Sequence, residues 1–188
     1  MTVDTADDPA HGPADDLGRG QRATLAAEIH DLYDGQGDGD RLLAAFRAAA
    51  LYVPLAEDEA MCSGESDGVR WLYAFTSTTE LERFARARLG SGTGSGWGSG
   101  RIRHWTVLGS RLLDVAVPAA VAETRAAIGV AVDVGGVRPL LLPPLSGIVP
   151  DSVAVDLVDR RPGARHPSAI DRTSGIRQGI RHRSAEEA

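Results

Sequence analysis

Lysine and asparagine are absent from this 188-residue chain, and cysteine occurs once, at Cys62. Each absence removes chemistry. Without lysine there is no Schiff base to a carbonyl substrate and no Walker-type ammonium for a nucleotide phosphate. One cysteine staples no loop, so a reducing compartment is the simplest reading. No stretch approaches the ~18 consecutive apolar residues of a membrane helix. Met1 to Asp16 holds five aspartates and no apolar run, the reverse of a secretory signal. The expectation is a cytoplasmic protein with no membrane association. A basic excess is missing too. Lys+Arg is 20 against 26 Asp+Glu, a net charge of −6, and residues 21–158 hold 12 Arg against 17 acids. Nucleic-acid binders carry a basic stripe or domain. None is evident here, so nucleic acid is not the expected partner.

What is present is enough apolar patterning for one domain of ordinary size. Residues 1–19 and 159–188 are too poor in periodic apolar residues to offset ordering entropy, and both read as disordered tails, the first acidic and the second rich in Arg. Between them, Leu25, Ile29 and Leu32 fall at helical spacing and predict a helix over 21–33. Asp40 reads as the cap of a second helix bearing Leu42, Leu43 and Phe46, which runs into the short strand Leu51-Tyr52-Val53-Pro54. A short strand is expected over 58–63, then a turn over 64–68. Val69 to Phe75 alternates as a strong strand. Ser77-x-x-Glu80 is a capping box, opening a helix with Leu81, Phe84 and Ala85 on one face. Ile102 to Leu108 predicts a strand, Ser110 the cap of a short helix, 128–134 and 137–142 a hairpin, and 145–158 a last edge strand. Strands interleaved with helices, plus a hairpin, define an α/β (α+β) domain: a small mixed sheet packed by helices.

Four segments resemble the N-terminal domain of the enhanced-serine-sensitivity (SseB) proteins. They are Leu51-Tyr52-Val53-Pro54-Leu55, then Trp71-Leu72-Tyr73-Ala74-Phe75-Thr76-Ser77 leading into Glu80-Leu81-x-x-Phe84, then Leu108-Gly109-x-x-Leu112-Leu113, and finally Ile128-Gly129-Val130-Ala131-Val132-Asp133 followed by Leu142-Pro143-Pro144. Together they span about residues 40–158. The resemblance implies a small mixed α/β domain and carries over no catalytic residue.

The residues themselves give no coherent catalytic set. Gly64-Glu65-Ser66-Asp67-Gly68 matches G-x-S-x-G, but that motif exposes a nucleophile only after a strand and before a helix; here a strand follows, and a hairpin turn is the better reading. Asp34-Gly35-Gln36-Gly37-Asp38-Gly39 opens like a calcium loop, yet its twelfth position is Ala45, where a bidentate Glu is required. The glycines of 90–100 all fall at even positions, which G-x-G-x-x-G forbids, so a flexible linker is expected. One Cys with His30 and His104 gives no zinc spacing. Asp114, Asp133 and Asp151 make a metal site only if the fold brings them together. No cofactor and no metal is expected.

The remaining candidates are Trp97, Arg101, Arg103 and Arg111, the densest basic group of the core beside two tryptophans, with His104 between them in sequence. They read as a surface for another protein. The expected function is therefore a non-enzymatic binding or regulatory module. The alternative is a small-molecule sensor or enzyme with a pocket at strand ends, for which Ser66, Asp114 and His104 are the first residues to replace.

Overall fold

The computed structural model describes residues 13–56, 58–90 and 102–158. They form one mixed α/β domain, as the pattern predicts. Helix α1 (Pro13–Tyr33) and helix α2 (Gly39–Ala48) lead into β1 (Ala50–Pro54). A hairpin of β2 (Ser63–Ser66) and β3 (Val69–Ala74) follows, then α3 (Thr78–Gly90). After β4 (His104–Leu108) the chain enters α4 (Gly109–Arg111), a π-helical turn (Leu112–Ala116) and α5 (Val117–Thr124). Strands β5 (Ala127–Val132) and β6 (Leu140–Leu142) and the short α6 (Val155–Val158) complete the order.

Strands β2-β3-β5-β6 make one sheet, in which β3 and β5 run parallel and the other pairs antiparallel. Strand β1 pairs antiparallel with β4 and joins that sheet where Tyr52 and Phe75 exchange both backbone bonds, at 3.0 and 2.8 Å. Alternation along the strands sorts the two faces. Leu51, Val53, Leu72, Ala74, Ile128, Val130 and Val132 turn to one side and bury against Leu25, Ile29 and Phe46 of α1 and α2 and Leu112, Leu113 and Val117 of the later helices. Tyr73 and Phe75 turn to the other side and pack with Leu81 and Phe84 of α3. Fully burying each large side chain stabilises the fold by about 1.5–3 kcal/mol, and the sheet is covered by helices on both faces.

Several expectations are corrected. Helix α1 begins at Pro13, so residues 13–19, read as part of the acidic tail, are helical. The helix is pinned from within: Leu25 and Ile29 are buried, and Arg22 Nη1 donates to the Ala50 carbonyl at 3.0 Å. Proline at a first helical position removes no helical bond. Residues 1–12 and 159–188 lie outside the described residues, as do Trp97, Arg101 and most of the glycine-rich loop. Asp38, not Asp40, caps α2, accepting from Arg41 N at 2.9 Å. Ser110 caps nothing; the helix opens from Leu108 with no side-chain cap bond. The segment 145–158 is not an edge strand. Pro143, Pro144 and Pro150 have no N–H to give a ladder, Gly147 takes φ +85°, and Asp156 instead accepts from Ser146 N and Oγ at 2.8 and 2.6 Å. The β2–β3 turn is confined to Asp67-Gly68, both at positive φ (55° and 75°), which is hairpin geometry of the primed type.

Candidate functional site

The carboxyl ends of the parallel strands β3 and β5 open into a cleft of about 720 Å³. Strand ends are where α/β sheets collect ligands, because the chain leaves neighbouring strands there toward opposite faces. One wall is α1, presenting Arg19, Arg22, Ala26, Ile29 and His30. The facing wall is the β3–α3 junction, Thr76-Ser77-Thr78, with Glu80 and Arg83 of α3. Tyr52 lies between them, and Asp133, Gly136, Val137 and Arg138 of the β5–β6 connection close one end.

Asp133 and Thr76 hold the two strand ends together. Asp133 is 9% exposed; its Oδ1 accepts Thr76 N at 2.9 Å and its Oδ2 accepts Thr76 Oγ1 at 2.7 Å. Burial raises its pKa above the usual Asp range, opposed by the two bonds from Thr76; Glu80 nearby raises it further and Arg83 lowers it. The backbone at Asp133 is left-handed, φ 52°, a conformation that Asp tolerates better than most residues. The chain thereby turns out of β5, and Gly135 follows at φ 83°. Across the junction, Ser77 Oγ accepts Glu80 N at 3.2 Å. That is half of the expected capping box, for Glu80 turns its carboxylate to Arg83 instead.

The cations are oriented by the fold. The Arg22 guanidinium sits 4.7 Å above the Tyr52 ring, a cation–π contact that limits its swing. Arg138 Nη1 donates to the His30 carbonyl at 3.0 Å and lies 3.1 Å from Asp34 Oδ1. Four arginines and one histidine line the cleft against two carboxylates, one of them Asp133. Carboxylates in and beside the cleft answer several of these charges: Arg19 lies 3.5 Å from Asp16, Arg138 and His30 lie 3.1 and 3.2 Å from Asp34, and Arg83 holds Glu80. Guanidinium forks and hydroxyls are the groups that bind carboxylate and phosphate oxygens.

Of the residues singled out from sequence, Asp133 lines this cleft, Arg103, His104, Arg111, Ser66, Asp114 and Asp151 do not, and Trp97 and Arg101 fall outside the described residues. Arg103 precedes β4, donates to Glu59 Oε1 at 2.9 Å and to the Ala56 carbonyl at 3.2 Å, and borders a shallower cleft of about 420 Å³ with His104 and half-exposed Trp105. Arg111 is exposed beyond the other end of β4, so these two are not brought together. His104 Nδ1 lies 3.1 Å from the Ile102 carbonyl, and Ser66 Oγ donates to Asp67 Oδ2 at 3.0 Å. Asp114 takes Arg47, and neither it nor exposed Asp151 approaches the buried Asp133 site; among the described residues no three His, Cys, Asp or Glu side chains gather as metal ligands. Cys62 is half-buried, and burial raises its thiol pKa.

Sequence reasoning missed Arg22, Thr76, Arg83 and Arg138 as site residues and took Asp133 only as a metal ligand. The available signal was positional: Thr76 follows the largely apolar run Val69–Phe75, and Asp133 is the first charged residue after the apolar run from Ala126 to Val132. Fold and cleft together define a mixed α/β domain with a strand-end cavity. No family model matches the chain, and no curated protein or solved structure shows significant similarity to it. No helix among the described residues is long and apolar enough to cross a membrane.

Proposed function

We propose that the protein is a cytoplasmic binding module for a small anionic metabolite, held in the cleft at the ends of β3 and β5. The observation that carries this reading is the gathering of four arginines around a strand-end cavity in an acidic chain. A cavity of this volume suits an organic ligand, and Ala26, Ile29 and Val137 offer apolar contact for its body. The segment that most resembles the enhanced-serine-sensitivity family, Thr76-Ser77 through Glu80, lines this cleft, so membership of that family and the ligand reading are compatible proposals. A protein-partner surface at the start of β4 is the second reading, supported by half-exposed Trp105 beside Arg103.

Thermal unfolding with inorganic phosphate, citrate and phenyl phosphate tests the proposal. A ligand at 100 times its Kd stabilises the native state by about 2.7 kcal/mol, which raises Tm by roughly 2–4 °C per kcal/mol in a chain of this size. At least one probe is expected to raise Tm by several degrees, and Arg22→Gln with Arg138→Gln to abolish the rise. No shift with any probe, or a shift indifferent to both substitutions, rejects the cleft as the site.

A further inference from the structure

Strand β4 ends its sheet and pairs only with β1 among the described residues. Along such a strand the backbone bonds alternate in direction. Arg103 O accepts from Leu55 N and Gly109 N donates to Ala49 O, both at 2.9 Å, so the odd-numbered residues bond toward β1. His104, Thr106 and Leu108 therefore aim their N–H groups outward, and His104 and Thr106 their carbonyls; the Leu108 carbonyl opens α4. Thr106 is exposed, as are Trp105 and Leu108, at 50% and 44%. The other two edges are blunted in the usual ways: β6 is three residues between Pro139 and Pro143, and β2 carries exposed Glu65. Strand β4 contains no proline, arginine or carboxylate.

We propose that β4 is a self-association edge, at which a second copy of this chain adds its own β4 antiparallel across a two-fold axis through Thr106. Register selects this occupant. With Thr106 opposite itself, its N–H and carbonyl exchange both bonds with the second copy, and each Leu108 N–H meets the other copy's His104 carbonyl. Trp105 then stands opposite the other copy's Val107, in a non-hydrogen-bonded pair whose Cα atoms come within about 4.5 Å. That is an aromatic–β-branched pair, made twice by the two-fold, and Thr106 against Thr106 is another favoured pair. Trp105 and Val107 share a face, and Val107 already packs on the core, so the added indole extends that cluster. Charge is matched as well. A strand that pairs with its own copy meets its own charges at the axis, and this one carries no Arg, Asp or Glu, in a chain whose net charge of −6 works against association elsewhere. A five-residue strand is much less than the roughly 20–30 residues a side of a standard interface, so the dimer is weak, with Kd on the order of 10⁻⁵–10⁻⁴ M. The inference is independent of the anion reading of the cleft, and it gives the surface at the start of β4 a definite occupant.

Sedimentation equilibrium of the full chain, from about 10 µM to about 1 mM, is expected to show a mass rising toward that of two chains. Thr106→Pro removes an outward N–H and no bond to β1, a position where an edge strand tolerates proline, and should hold the chain monomeric over the whole range. Should Thr106→Pro not fold, Thr106→Lys sets like charges face to face at the axis and should raise Kd at least ~10-fold. Mild oxidation in a Cys62→Ser background reads the register. Thr106→Cys places two Cα atoms about 5.5 Å apart across the axis, within the span of a disulfide, and should give a covalent dimer. Leu108→Cys faces His104 of the other copy rather than itself, and should give none. A chain monomeric at about 1 mM, a dimer indifferent to the folded Thr106 variants, or equal linkage at 106 and 108 overturns the proposal. The cleft is judged separately, by the ligand dependence of Tm.

Discussion

Asp133 concentrates the site's constraints in one side chain. It is buried, left-handed in backbone and doubly bonded to Thr76. Burial raises its folded pKa above that of an ordinary Asp, so between the two the native state binds a proton more readily than the unfolded chain. Its contribution to stability is therefore present at low pH and is lost as pH rises through the folded pKa. Asp133→Asn should remove this slope: the difference in Tm between wild type and variant, followed from pH 4 to 7, should shift in the variant's favour as pH rises. Parallel curves would count against an ionising Asp133. The neutral acid and the amide each offer Thr76 one acceptor and one donor, so at low pH the variant should lie close to wild type in stability. In the sequence, Asp133 reads as lying inside a strand over 128–134, whereas β5 ends at Val132. Its partner is 57 positions away, and no local pattern carries that distance.

Among the elements, those whose apolar periodicity matched their final burial were legible: α2 with Leu42 and Phe46, β5 with Ile128, Val130 and Val132; β3 was legible as a strand, but the alternating Val69, Trp71, Tyr73 and Phe75 lie opposite the buried Leu72 and Ala74. The misread ones depend on partners rather than on periodicity. Helix α1 extends to Pro13 because Arg22, Leu25 and Ile29 anchor its middle, and 145–158 folds around Asp156 in place of a ladder. The start of α4 shows how closely two elements can meet. Gly109 N donates to Ala49 O at 2.9 Å, and a Cβ on Gly109 would stand 1.9 Å from the Phe46 carbonyl oxygen. Backbone faces backbone there, so neither side can rotate away. Gly109→Ala should cost about 1–3 kcal/mol or more, read as a lowered urea midpoint. Gly39→Ala, at the first position of α2 with open space around it, should be neutral or stabilise by about 0.4–1 kcal/mol. Equal midpoints for the two variants would refute the packing argument.

Across the whole molecule, charge is divided unevenly. On the proposed reading, the cleft's arginines would attract small anions over a range set by salt. With a Debye length of about 30 Å at 0.01 M and about 3 Å at 1 M, phenyl phosphate affinity should fall as sodium chloride is added, as titrations at several ionic strengths would show. A flat response would separate binding from these cations. The arginines were individually plain in the sequence; their meaning came from a fold that collects α1, the β3–α3 junction and the β5–β6 connection at one place. That same geometry has a temporal consequence. Arg138 reaches His30 across 108 positions, so the cavity cannot exist on a nascent chain until the segment past Arg138 has cleared the ribosome. On the proposed reading, ligand capture would report that synthesis has passed this point and that the long crossover from β3 to β5 has closed.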